Sequence, residues 1–282
     1  HSDTNLIACL YFANDKENSS KSYTYINIYN LPSLNLINTI SKLTFTTDIS
    51  NDLKYSLATS AGIFYVFDNS LEPVLDNPIY VDSIRTIFPN SAWETIEFSP
   101  DNNYLSGIMR RNAYIFDIRK KELIWQYTDS TESNDSNIYN MIISQDMKDI
   151  ILVSLDSIFI YDFQTFHYSK SYSIGKLYSY LHPSDIFLEL SKDSKYLAVG
   201  FNYNDELFEI AILNYENGEV ISIINFYNYI VPSHQFGMLY DFPLDFITSM
   251  NFLDNQNISV QGLVGNYIFD IESGELLSLQ ST

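Results

Sequence analysis

The chain has 282 residues, 35 acidic and 15 basic, for a formal net charge of −20. That length allows one large all-β domain or two ordinary ones. The charge disfavours nucleic-acid partners, because such a surface repels phosphate backbones. No run approaches the roughly 20 apolar residues that cross a bilayer, and a single cysteine, Cys9, rules out an intramolecular disulfide. The 23 Tyr and 19 Phe supply ample material for pleated, half-buried sheets.

In chain order, the first 40 residues read as three strands, Leu6 to Phe12, Tyr23 to Tyr29 and Leu36 to Ile40. They fill the second, third and fourth places of a four-strand unit whose first place is vacant. Either this unit is short, or residues upstream belong to the fold. The second unit, about 43–75, places strands at Thr44 to Asp48, Tyr55 to Thr59 and Ile63 to Phe67. Residues 76–92 form a longer, apolar connection in which Ile79 to Val81 and Ile84 to Phe88 make an extra hairpin or a loop packed over one face.

The third unit, 93–128, is the clearest. Trp93 to Phe98, Tyr104 to Met109, Ala113 to Ile118 and Leu123 to Tyr127 are short aromatic and β-branched runs between turns. Ser99-Pro100-Asp101 makes the first turn, since Pro presets φ and Asp bonds its own backbone. Residues 129–137 are polar and rich in turn formers. The fourth unit spans 138–174 and the fifth 184–226, the latter with a second Ser191-Lys192-Asp193 turn. The sixth covers 247–280.

Each third strand ends in an aliphatic residue, usually an aromatic, then Asp or Asn. The six instances end at Asn30, Asp68, Asp117, Asp162, Asn214 and Asp270, in steps of 38, 49, 45, 52 and 56 residues. A period of about 40–50 residues with four strands per unit predicts an all-β propeller of four-stranded antiparallel blades. Six units are recognisable, with a seventh if upstream residues complete one, in a single domain over 1–282. The strings FSPDNNYLSG…YIFDIRKKELI, LSKDSKYLAVG and YIFDIESGELL resemble WD-repeat propellers and their quinoprotein-like relatives. The Gly-His dipeptide of that family is absent, and Trp-Asp is replaced by Phe-Asp, Tyr-Asp or Leu-Asn. What the resemblance implies is a non-catalytic protein-interaction scaffold, a subunit of a larger complex, that binds through its rim or top face.

Residues 226–246, FYNYIVPSHQFGMLYDFPLDF, are the most unusual insertion. Loops of this length in compact domains are often functional, and aromatics and Met are enriched at interface cores. Tyr229, Phe236, Met238, Tyr240 and Phe242 are therefore candidate anchors for a partner. The other reading is a plug for the channel or a cover for a blade edge. The acidic surface keeps the chain in solution and would steer a basic peptide.

Little points to catalysis. His1, His167, His182 and His234 are not at metal-ligand spacing. No phosphate loop or nucleophile elbow occurs. No catalytic residue, metal site or cofactor is expected. The recurring Asp at strand ends reads as turn chemistry rather than a ring of reactive carboxylates. The alternative function is an extracytoplasmic propeller enzyme, or a small-ligand or metal binder, using the central channel. The expected setting is intracellular, cytoplasmic or nuclear, with an extracytoplasmic one as the alternative.

Overall fold

The computed structural model describes residues 6–14, 22–30, 35–42, 46–49, 55–60, 63–68, 79–80, 93–109, 112–120, 122–128, 138–175, 185–203, 207–225, 249–262 and 265–281. Side chains are described only from residue 95 onward. The chain divides into two units, His1–Thr128 and Asp129–Thr282.

In the first unit, β1 (Leu6–Asn14), β2 (Ser22–Asn30) and β3 (Asn35–Lys42) form a three-stranded antiparallel meander among the described residues. The second sheet holds β4 (Thr46–Ile49), β5 (Tyr55–Ser60), β6 (Ile63–Asp68) and β7 (Ile79–Tyr80). Ile79–Tyr80 is neither an extra hairpin nor a covering loop. It pairs with β6 as the fourth strand, Tyr65 opposite Tyr80 and Val66 opposite Ile79, so this unit extends beyond residue 75. Two residues are too short a run to carry a periodicity signal. The third sheet is β8 (Trp93–Phe98), β9 (Tyr104–Met109), β10 (Asn112–Asp117) and β11 (Glu122–Tyr127).

The second unit repeats the plan three times. Its fourth sheet is β12 (Ile138–Ile143), β13 (Asp149–Ser154), β14 (Ser157–Asp162) and β15 (Tyr168–Ser173). The fifth is β16 (Asp185–Leu190), β17 (Tyr196–Tyr203), β18 (Leu207–Asn214) and β19 (Val220–Asn225). The sixth is β20 (Ser249–Phe252), β21 (Asn257–Gln261), β22 (Gly265–Asp270) and β23 (Leu276–Ser281). All three are up-and-down meanders in sequence order. First strands adjoin first strands: β12 lies beside β16, and β16 beside β20.

Sequence pattern accounts for the layering. β9 and β13 are buried along five of their six residues because a middle strand is covered on both faces, and the apolar stretch Ile150 to Val153 of β13 shows it in sequence. The fourth strands β11 and β15 are largely exposed or half-buried. Between the fourth and fifth sheets lies one core, with Ile151, Val153, Ile158 and Ile160 against Leu188, Leu197, Val199 and Leu213. Between the fifth and sixth lies another, with Ala198, Ile210 and Ile212 against Ile258, Val260, Tyr267 and Phe269. Fully burying such an aliphatic side chain stabilises by about 1.5–3 kcal/mol. These two cores, rather than the exposed ion pairs of the turn lysines, hold the unit together.

β-bulges recur between the first and second strands, at Thr46/Asp48, Trp93/Thr95 and Ile138/Asn140, and more often between the third and fourth. Between the third and fourth strands the register slips at Ile28/Tyr29, Ile115/Phe116, Ile160/Tyr161, Ile212/Leu213 and Ile268/Phe269, inside the strand-end signature each time. The extra residue is always on the fourth strand. A bulge adds local twist, so each of these five outer strands bends at the same point just after its turn.

Candidate interaction face and the turns that build it

Two turns, one joining the first and second strands and one joining the third and fourth, lie at the same end of each sheet. Both are made by side chains the sequence repeats.

In the first, a serine at the end of the first strand donates its hydroxyl to the aspartate two residues on. Ser99 Oγ reaches Asp101 Oδ1 at 2.7 Å, Ser144 reaches Asp146 at 2.8 Å and Ser191 reaches Asp193 at 2.9 Å. The same oxygen accepts the amide five residues on, from Tyr104 at 3.0 Å, Asp149 at 2.9 Å and Tyr196 at 2.9 Å. All three serines are buried, so the bonds satisfy groups that would otherwise be stranded away from water. The fourth residue of the turn is left-handed: Asn102, Met147 and Ser194 have φ of 60°, 58° and 56°. Ser144-Gln145-Asp146 is a third such turn, beyond the two read from sequence. The Ser-x-Asp spacing alone would have found it. In the sixth sheet Leu253 takes the serine's place, and Asp254 alone accepts from Gln256 and Asn257.

In the second turn, the strand-end Asp or Asn accepts the next amides. Asp117 Oδ1 takes Arg119 N and Lys120 N at 3.0 and 2.8 Å. Asp162 Oδ1 takes Gln164 N and both the amide and hydroxyl of Thr165. Asn214 takes Glu216 N, and Asp270 takes both groups of Ser273. These side chains are turn builders, as expected. The residue after each signature donates its amide to the carbonyl of the neighbouring turn: Ile118 to Asn103, Phe163 to Lys148, Tyr215 to Lys195 and Ile271 to Gln256. All four are buried and tie the two turns together.

The hydrogen bonds set the acidity of the carboxylates. The Thr165 hydroxyl holds Asp162 below its ordinary range, the Asn257 amide does so for Asp254, and the Ser273 amide for Asp270. Partial desolvation works against Asp146 and Asp193. The bonds from Lys148 and Lys195, at 2.6 and 3.0 Å, and from Ser144 and Ser191 outweigh it, and both stay low. Burial alone raises Glu209 on β18.

The fourth and fifth sheets are also latched through side chains. Tyr172 on β15 donates its hydroxyl to the carbonyls of Tyr215 and Glu216. Lys170 Nζ reaches the same carbonyls at 3.1 and 2.9 Å and lies over both tyrosine rings, 5.2 and 5.0 Å from their centroids. Tyr215 in turn donates to Asp149 Oδ2 at 2.8 Å, and burial together with that carboxylate pushes its phenol far up. The fifth and sixth sheets are joined likewise, with Ser222 Oγ on β19 donating to the Ile271 carbonyl.

The anchors expected in the insertion, Tyr229, Phe236, Met238, Tyr240 and Phe242, lie outside the described residues. Arg119 and Lys120 are exposed, and Lys120 Nζ is 3.5 Å from Asp117 Oδ2. Their sequence neighbours 110–111 lie outside the described residues. His167 is exposed in its turn and its amide is 3.4 Å from Thr165 Oγ1. Among the described residues no group of three or more His, Cys, Asp or Glu is placed to hold a metal ion. No helix of the described residues is long and apolar enough to cross a membrane.

Successive four-stranded antiparallel meanders with adjoining first strands define a β-propeller, and that is the fold of this chain. It is similar to the solved Cps50 (Swd1) β-propeller domain of Myceliophteria thermophila, at a TM-score of 0.57 over 98% of this chain and 89% of that one. The two are 12% identical, so the likeness is one of fold, and the resemblance to WD-repeat propellers holds at that level. No protein-family model matches the sequence, and no curated protein matches it.

Proposed function

We propose that the chain is a non-catalytic interaction scaffold, a single propeller domain over residues 1–282 that serves as a subunit of a protein complex inside the cell. It binds another protein through the rim or top face and through the insertion 226–246. Tyr229, Phe236, Met238, Tyr240 and Phe242 act as anchors, and the acidic surface favours a basic peptide. One observation carries this reading. Among the described side chains, the polar groups that recur from sheet to sheet, the Ser-x-Asp turns and the strand-end Asp or Asn, are engaged in turn bonds. The repeated chemistry of the fold is therefore structural, and function falls to the surface and its insertion.

The test is an affinity pull-down from native extract with the full chain and with 226–246 deleted. The expected result is one stoichiometric protein, lost on deletion while the melting temperature is retained. A large fall in stability on deletion would make the insertion part of the core, and absence of any protein partner would refute the scaffold reading.

A further inference from the structure

Lys195 is the last basic residue of the chain. Residues 196–282 carry eleven Asp and Glu and no Lys or Arg, so more than half of the net charge of −20 sits in that stretch. It forms most of the fifth sheet and all of the sixth. The outer strands of these two sheets, β19 and β23, carry four of the six large exposed hydrophobic side chains among the described residues. Val220 is 41% exposed, Ile223 49%, Leu277 57% and Leu279 42%. The outer strand of the fourth sheet, by contrast, reads Tyr-Ser-Lys-Ser-Tyr-Ser.

β19 packs against the turn that leads into β23. Ser222 bonds the Ile271 carbonyl, and the Ile223 carbonyl packs so close to Gly274 that an added methyl carbon would stand 3.4 Å from its oxygen. Each strand is last in its sheet, with no strand paired to its outer edge among the described residues. Exposed Glu216 and Glu219 precede β19, and exposed Glu272 and Glu275 precede β23. Aliphatic side chains open to water beside four glutamates, with Lys170 already bonded to the Glu216 carbonyl at the head of β19, fit a ligand that is both apolar and cationic.

We propose that β19 and β23 form a docking surface for an extended segment of a partner protein, in which aliphatic residues are flanked by Lys or Arg. The aliphatic side chains bury Val220, Ile223, Leu277 and Leu279, and the cations pair with the glutamates. A second copy of this chain is a poor occupant, because it would bring the same negative rim. The inference rests on the scaffold reading but uses residues outside the insertion.

The probe is a synthetic peptide of alternating Leu and Lys, with a Ser and Lys peptide of equal charge as control. Binding to the full chain is measured by fluorescence anisotropy at low and high salt. I223S/L277S should weaken the Leu-Lys peptide by about tenfold or more and leave the Ser-Lys peptide unchanged. E272K/E275K should weaken both peptides and flatten the salt dependence. Both pairs of positions are exposed, so the melting temperature should hold. Hydrogen exchange should slow at 220–225 and 276–281 on binding. Equal affinity of I223S/L277S for the Leu-Lys peptide, or protection elsewhere, would overturn the proposal. So would self-association of the parent that I223S/L277S abolishes, which would make a second copy the occupant. Capture of a partner through 226–246 together with failure here would sink this proposal alone.

Discussion

Gly218 offers a sharp test of how the fourth and fifth sheets are joined. It sits in the turn between β18 and β19 at φ +74°, and a methyl carbon there would overlap Tyr172 Cδ1 and Cγ and stand 2.9 Å from its Cβ. The ring has nowhere to retreat, because its hydroxyl is held by two carbonyls and Lys170 lies on its face. Gly218→Ala therefore pays twice: about 1–2 kcal/mol for a side chain in the left-handed region and about 1–3 kcal/mol for overpacking. Gly274 is the control. It occupies the same turn position in the sixth sheet at φ +70°, but its methyl carbon would come no closer than 3.4 Å to the Ile223 carbonyl oxygen, so only the backbone cost applies. Urea titration of both variants should show Gly218→Ala less stable than Gly274→Ala by about 1–3 kcal/mol. In a Tyr172→Ser background the gap should close. Equal losses for the two single variants would refute the account of a pinned ring.

Three further outcomes follow from the turns. Ser191→Ala strands the amide of Tyr196 and leaves that of Lys195 only its 3.3 Å bond to Asp193 Oδ1, and denaturant titration should show a loss of about 1–3 kcal/mol. Asp146, Asp162, Asp193, Asp254 and Asp270 all have folded pKa values below the ordinary 3.8. Their contribution is thus full above about pH 4 and is lost as pH falls through the lower folded values; melting temperatures measured downward from pH 5 should drop steeply, and a flat profile would count against these bonds. Glu209 has the opposite sign, because burial raises it above the ordinary 4.5. Its charge costs stability at neutral pH, so Glu209→Gln should raise the melting temperature at pH 7, with the gain vanishing in acid.

Strand positions were legible wherever a run was long and bounded by turn residues. Trp93–Phe98 and Tyr104–Met109 fall where the pattern places them, and all six strand-end signatures close a third strand. Ile79–Tyr80 escaped because strand identity there comes from pairing with β6, which no local pattern encodes. The latch of Lys170, Tyr172 and Tyr215 escaped for a related reason. Its partners are some 43–46 residues apart and meet only when two sheets pack. The exposed aliphatics of β19 and β23 look in sequence like any half-buried strand, since pattern cannot tell a covered outer strand from an open one.

Two joints between neighbouring sheets of the second unit, those at Tyr215 and Ile271, share one trait: the acceptor is a backbone carbonyl of the residue that follows the strand-end signature, while the donor is an ammonium and a phenol in one case and a serine hydroxyl in the other. Every residue type carries that acceptor, so a joint asks only that something with a proton to give stand opposite it. Lysine, tyrosine and serine are interchangeable parts in such a connection. A molecule assembled this way can exchange most of its letters, generation after generation, and keep its shape, which is how a chain can share one letter in eight with a solved propeller and still fold as one.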